Sequence, residues 1–444
     1  MAAGSADIGM GEAGALEAHP LRAAVLAELH ARPFLPASAP RRFLHVAFLT
    51  DPLSAQAARE GLAAFCAARG LSQPAPGAKH HRAELGGATL RWESHAEFST
   101  YTWDFPCTDP AIAPFFPPSG ALSGVLSEIP QPGPLLVAVD LHLICDTADD
   151  LQLNAVFDRA SLARSDVNDG EAEIATDFKP DPSGFVRVLV RDRGLSPEAA
   201  GALVQRVLEI ETYRLLALLG LPEAQRLTPD IARIEAQLTR LTDAMRQSEG
   251  LAANNRMLDE LVALSAELEA GAAASLFRFG ASRAYEEIVR LRLATIREQP
   301  IPGYPTWQRF LDRRMAPAMR TCLTVQERQA NISGKLARAA DLLRTRVDVE
   351  VEQQNRDLLA SMNERTRLQL RLQRTVEGLS VAAISYYVAS LVHLLVEGIH
   401  EGGLDARLGF TLDPGLVTAL SVPVAVLLVW SMVRRIRRAH ADHD

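Results

Sequence analysis

Two stretches near the C-terminus depart from the mixed apolar and polar pattern of the rest of the chain. Leu379–Val396 and Gly415–Val433 contain no Asp, Glu, Lys or Arg. Each is long enough to cross a hydrocarbon layer of roughly 30 Å as a helix rising about 1.5 Å per residue. Arg365, Arg367, Arg371 and Arg374 precede the first run, and Arg434, Arg435, Arg437 and Arg438 follow the second. The intervening segment carries Glu397, Glu401, Asp405 and Asp413 against one basic residue, Arg407. Positive flanks stay cytoplasmic. The pattern therefore predicts a transmembrane hairpin over 379–433, with spans 379–396 and 415–433. Both termini would be cytoplasmic and the acidic loop outside, in a bacterial inner membrane. The basic tail 434–444 closes the chain.

Ahead of the first span, no proline occurs between Pro317 and Pro414, and the residues are helix formers. Leu336, Ala340, Leu343, Val347, Val351, Leu358, Met362, Leu372, Val376 and Leu379 recur in steps of three and four, as one face of a long helix does. This predicts a stalk helix over 303–378. Gln354, Arg365 and Gln369 interrupt the stripe, which suits a wide oligomeric bundle or a wetted channel better than a dry dimer seam. Ile231, Ile234, Leu238, Leu241 and Met245 follow the same period after Thr228-Pro229, an N-cap and first-turn pair. Leu258, Leu261, Leu264 and Leu268 resume it past Gly250, and a further helix is expected over 282–297. The segment 221–302 is thus expected to form antiparallel helices.

Upstream the period changes. His45–Thr50 reads as a buried strand. Asp51-Pro52 opens a helix that Gly70 stops. Gly86-Gly87 separates two alternating runs and signals a hairpin. The alternation in Arg91–Phe98 and on to Trp103 reads as continued strand. Pro134–Cys145 is a strongly apolar strand with a central place in a sheet. Lys179–Ser183 turns a second hairpin, and a helix over 196–219 closes the segment. The expected fold class is α+β: a mixed α/β cytoplasmic domain over 19–220 with six or so strands, a helical stalk and a two-helix hairpin. Residues 1–18 read as a flexible tail without the features of a signal peptide.

Composition changes this picture little. The net charge of −8 disfavours nucleic acid as a partner. The four cysteines form no CxxC pair, which fits a reducing compartment and not a zinc ribbon or disulfide framework. No phosphate-binding loop, dinucleotide fingerprint or nucleophile elbow is present, and no cofactor or catalytic residue is expected.

Three constellations remain as candidate chemistry. In a single strand Arg91, Glu93, His95 and Glu97 would share one face, and the Glu-His-Glu set could hold a metal. Asp140 and His142 would point together from the end of the central strand, where sites gather. In the hairpin, His393, Glu397, Glu401 and Asp405 are the candidate transport residues. The opening stretch HPLRAAVLAELHARPF reads as a helix from Pro20 to about His30. Its Leu21, Val25, Leu26 and Leu29 would dock on the sheet, with His30 and Arg32 at its end.

The stretches HPLR…ELHARPF, RWESHAEFSTYTW, DFKPDPSGFVRVLVRDRGL, RRMAPAMRTC and RTVEGLSVAAISYY resemble a bacterial family of membrane-anchored proteins classed as a domain of unknown function. That resemblance implies no activity. The order of domain, stalk, span, short loop, span and basic tail is also similar to the CorA-type magnesium channels. Their Gly-Met-Asn signature after the first span is replaced here by VEGIHEGGLDARLGF. The expected function is a non-enzymatic, homo-oligomeric sensor or scaffold at the membrane. The alternatives are a CorA-like cation conduit and a membrane-tethered domain binding a metal or small ligand.

Overall fold

The computed structural model describes residues 19–22, 25–26, 34–107, 115, 126, 128–146, 150–401 and 413–441. The expected tail over 1–18 lies outside them. The chain forms two compact units, one comprising 1–244 and 260–339, the other 245–259 and 340–444.

The first unit is built on a nine-stranded sheet in the order β2-β3-β4-β1-β5-β8-β7-β6-β9. The strands are β1 (Arg41–Leu49), β2 (His80–Leu85), β3 (Ala88–Ser94), β4 (Phe98–Pro106), β5 (Leu135–Cys145), β6 (Ala163–Val167), β7 (Ala172–Thr176), β8 (Val186–Asp192) and β9 (Gln299–Pro300). The apolar run at 134–145 takes the middle position, antiparallel to β1 and parallel to β8. The two expected hairpins form, β2–β3 at Gly86-Gly87 and β7–β8 around Lys179–Ser183. Helix α1 (Pro52–Ala68) begins with a reciprocal cap: Ser54 N donates to Asp51 Oδ1 at 2.7 Å, and Asp51 N donates to Ser54 Oγ at 2.8 Å.

Each face of the sheet is covered. On one, Phe43, Val139, Leu141 and Val188 pack with Leu203 and Val207 of α3 (Pro197–Leu218). Residues from two longer helices, α5 (Leu251–Ile296) and α6 (Trp307–Glu401), join them, among them Leu293, Trp307 and Phe310. On the other face Leu44, Trp92, Tyr101 and Trp103 meet Leu62 and Phe65 of α1. A smaller cluster gathers Leu153 of α2 (Asp150–Val156) with Phe157, Leu162 and Leu189. Gly201 lets α3 sit on the segment before β1. A Cβ there would lie 1.8 Å from the Leu35 carbonyl oxygen.

Helix α4 (Gly220–Gln247) packs beside α5 and α6 within this unit. Ile231, Ile234, Leu261, Leu268, Val325 and Ile332 are buried. Arg328 pairs with Glu235 at 2.7 Å, and Ser333 donates to Glu269 at 2.6 Å. Two expectations are corrected here, and the long stalk helix is longer than its expected bounds. Pro229 lies inside α4 and does not open it. Thr228 Oγ1 donates back to the Ala224 carbonyl at 2.7 Å, and Ala224 and Leu227 extend the buried stripe upstream. The stripe's burial outweighs the main-chain bond proline cannot make. The separate helices expected at 258–268 and 282–297 are one continuous α5. Helix α6 starts at Trp307, ahead of Pro317, and runs unbroken past Gly334 and Gly378.

The opening helix is also corrected. Its described turn is helical, with Val25 N bonded to the Leu21 carbonyl at 2.9 Å. Leu21 and Val25 are nevertheless each 61 % exposed, so this face is not docked on the sheet. His19 Nδ1 accepts from Leu21 N at 3.2 Å and so caps the turn. Leu29, His30 and Arg32 lie outside the described residues.

In the second unit, Arg346 Nη1 donates to the Met245 carbonyl at 2.5 Å, and Asn254 Nδ2 donates to Glu350 at 3.0 Å. Beyond them Val351, Leu358, Met362, Leu372 and Val376 of α6 are exposed. The C-terminal part of α6 meets α7 (Pro414–Ala441), where His393 Nδ1 lies 2.9 Å from Thr418 Oγ1. Both are long and apolar enough to cross a membrane, and their most apolar 18-residue windows are only 17 % and 6 % buried.

Candidate functional site

The sheet carries polar residues on both faces, and this separates the sequence candidates. Strand β3 ends at Ser94, where Ser94 pairs with Ser99 of β4, and His95 N donates to the Phe98 carbonyl at 2.8 Å. RWESHAEF is therefore a strand and a tight turn, not one strand, which is a correction. Glu93 stays on the α3 side with Arg91 at 3.5 Å and His95 at 3.6 Å. The His95 ring stacks on Phe98, centroids 4.0 Å apart. Glu97 pairs with Arg278 of α5.

Beneath α3, the sheet face over β1, β3 and β4 is polar where the rest of that face is apolar. His45 is buried. Its Nδ1 lies 2.8 Å from Thr102 Oγ1 and its Nε2 lies 2.9 Å from Thr212 Oγ1. Thr212 in turn donates to the Leu208 carbonyl at 2.8 Å. Both ring nitrogens are occupied, so His45 offers no lone pair to a metal. Burial, with Arg91 next in effect, lowers its pKa to about 3. The ring is therefore neutral at physiological pH. At the far end Arg41 pairs with Asp104 at 2.6 Å, and burial still raises the Asp104 carboxyl. Two cavities line this seam, one at His45, Glu93 and His95, the other at Arg91, Thr102 and Asp104, each of about 30 Å³. That is room for ordered water, not for an organic substrate.

On the opposite face Arg42 forms a bidentate pair with Asp140, Nε–Oδ1 2.9 Å and Nη2–Oδ2 2.6 Å. Both side chains are nearly inaccessible, at 5 % and 0 %. His142 Nε2 approaches Asp140 Oδ1 at 3.4 Å, and Nδ1 accepts from Phe115 N at 3.4 Å. Burial alone would push the Asp140 carboxyl up, but the nearby His142 ring and the Arg42 guanidinium hold it below the usual carboxylate range. Burial lowers the His142 pKa. The five metal candidates thus divide: Glu93 and His95 on one face, Glu97 at the turn, Asp140 and His142 on the other face. Among the described residues no three His, Cys, Asp or Glu side chains converge on a metal position.

An open cleft of about 830 Å³ lies at the end of β1, lined by Asp51, Glu97, Glu223, Arg226 and Arg278 among others. Its arginines are matched, Arg226 to Glu223 at 2.7 Å and Arg278 to Glu97. Of the transport candidates, His393 lies 3.9 Å from Glu397, one turn on. Glu401 ends α6, and Asp405 lies outside the described residues.

Sequence reasoning did not single out His45, Thr212 or Arg42. A histidine inside the apolar run HVAFLT was a usable signal for the first. The partners of the other two come from elements far away in sequence. A family model described as "Protein of unknown function (DUF3422)" matches residues 17–440. No curated protein matches the chain.

Proposed function

The chain belongs to this family, DUF3422, and on that premise we propose that it is a membrane-anchored, non-enzymatic sensor or scaffold. In this reading 379–396 and 415–433 cross a bacterial inner membrane as a hairpin. The mixed α/β unit then works in the cytoplasm together with both termini. The observation that carries the reading is the exposure of the two apolar helices. A core helix of a water-soluble protein with this composition would be mostly buried, whereas these windows are 17 % and 6 % buried. Leaving such surface in water is costly, at about 25 cal/mol per Å². The arginines on either side orient the hairpin. Water-sized cavities beside Glu93 and His95, and the burial of Asp140 against Arg42 with His142 beside it, support a structural, not a catalytic, role for these four residues.

Self-association is the second part of the proposal. Leu358 and Met362 are 62 % and 63 % exposed on a segment of α6 outside the expected span. An apolar stripe of this kind is suited to burial against copies of itself. A CorA-like conduit is the alternative, suggested by the order of segments along the sequence alone. The residues at the Gly-Met-Asn position differ, and this favours a scaffold over a conduit. Light scattering of the detergent-solubilised protein should give a protein mass that is a multiple of 48.2 kDa. Leu358→Glu with Met362→Glu should lower that mass. A wild-type mass of one chain would refute the oligomer.

A further inference from the structure

Two stretches singled out in the sequence, DFKPDPSGF and RRMAPAMRTC, lie more than a hundred residues apart and meet at one cavity. It encloses about 230 Å³ between the β7–β8 turn, α3 and the start of α6, and its lining includes Asp177, Phe178, Lys179, Arg214, Phe310 and Arg314. The volume lies just below the range of drug-sized sites, so it suits a small ligand.

Three cations and one carboxylate face this space, and the carboxylate is already engaged. Asp177 Oδ2 accepts from Asp158 N at 2.8 Å, and its Oδ1 accepts from Lys179 N at 3.1 Å. Arg214 is buried. It gives Nε and Nη2 to Glu211 at 2.9 and 2.6 Å, and Nη1 has no hydrogen-bond partner among the described residues. Lys179 pairs with Asp158 at the rim. Arg314 lies over the Phe310 ring, 3.7 Å from its centroid, and among the described residues no carboxylate pairs with it.

The apolar wall is aromatic. Phe178 stacks on Phe310 with centroids 4.5 Å apart and packs edge-on to Trp307 at 5.1 Å. The Arg214 guanidinium sits 5.0 Å from the Phe178 centroid. Phe178 achieves this with φ +56°, in the left-handed region that a bulky residue rarely adopts. Its N–H donates to Thr176 Oγ1 at 3.1 Å. Strain of this kind gathers at ligand clamps.

We infer that this cavity binds a small carboxylate with a compact apolar body, its head between Arg314, Lys179 and Arg214 and its body against Phe178 and Phe310. The inference is independent of how the chain meets a membrane. Calorimetric titration of the full chain in detergent, with benzoate and inorganic phosphate as separate probes and empty micelles as blank, tests it. Benzoate should bind, and phosphate should bind at least about tenfold more weakly because it cannot use the rings. Arg314→Gln and Lys179→Gln alter exposed side chains, so the unliganded melting temperature should not change. Each should weaken benzoate by roughly tenfold or more, the effect of losing one charge-assisted contact. No benzoate binding at millimolar concentration would overturn the assignment. So would phosphate binding as tightly as benzoate, or benzoate affinity unchanged in both variants.

Discussion

Arg42→Met should destabilise the mixed α/β unit by about 3–5 kcal/mol, the usual loss when one member of a buried ion pair is removed and the other charge stays behind. Asp140 would keep its place in the central strand with no guanidinium, in surroundings that leave its side chain 0 % exposed. His142 is a poor substitute donor at 3.4 Å, and the lowering of its own pKa by burial opposes the charge it would need. The double variant Arg42→Met with Asp140→Leu should recover most of the loss, because it removes both buried charges. Urea unfolding in detergent, followed by tryptophan fluorescence, measures this. Trp92, Trp103 and Trp307 are all buried in this unit. If the single variant is as stable as the wild type, the pair does not hold β1 to β5.

The second large effect depends on pH. His45 has a folded pKa of about 3, against about 6.5 in the unfolded chain. Between these values the unfolded state binds the proton and the folded state does not. The contribution of His45 is therefore fully present above pH 6.5 and is lost as pH falls toward 3. The slope is about 1.4 kcal/mol per pH unit in that window, or roughly 2.7 kcal/mol between pH 6.5 and 4.5. His45→Gln keeps a donor and an acceptor between Thr102 and Thr212 but cannot titrate. The stability advantage of wild type over this variant should shrink by about that amount on going from pH 7 to pH 4.5. A constant difference across the range would mean that His45 is not held neutral by its surroundings.

The elements that were legible in the sequence are those whose signals are local. The Asp51-Pro52 helix start, the Gly86-Gly87 turn and the apolar run of β5 each declare themselves within a dozen residues. Strand β1 begins at Arg41, earlier than read, because a paired arginine looks like loop until Asp104 and Asp140 are known to receive it. Strand β6, Ala163–Val167, was missed for the same reason. Arg164 and Asp166 mask a strand whose arginine is buried on Glu173 at 2.8 Å. The alternation in RWESHAEF runs straight through a turn that contains no glycine, proline or asparagine, so the period alone could not locate it. Of the candidate site residues, pairing within Glu93–His95 and Asp140–His142 was visible from spacing, but the face each pair occupies was not. The lining of the aromatic and cationic cavity comes from a turn and two helices widely separated in the chain, so no local pattern could have announced it.

The central claim is that the exposed apolar ends of α6 and α7 cross a membrane and return. Impermeant maleimide labelling of intact bacterial cells tests it directly. Single cysteines are placed at Glu401 and at Arg438 in a chain whose Cys66, Cys107, Cys145 and Cys322 have been replaced by alanine. Glu401→Cys should be labelled from outside without permeabilisation, and Arg438→Cys only once the membrane is opened. If both positions label only after permeabilisation, 379–433 does not cross the membrane and the account is wrong.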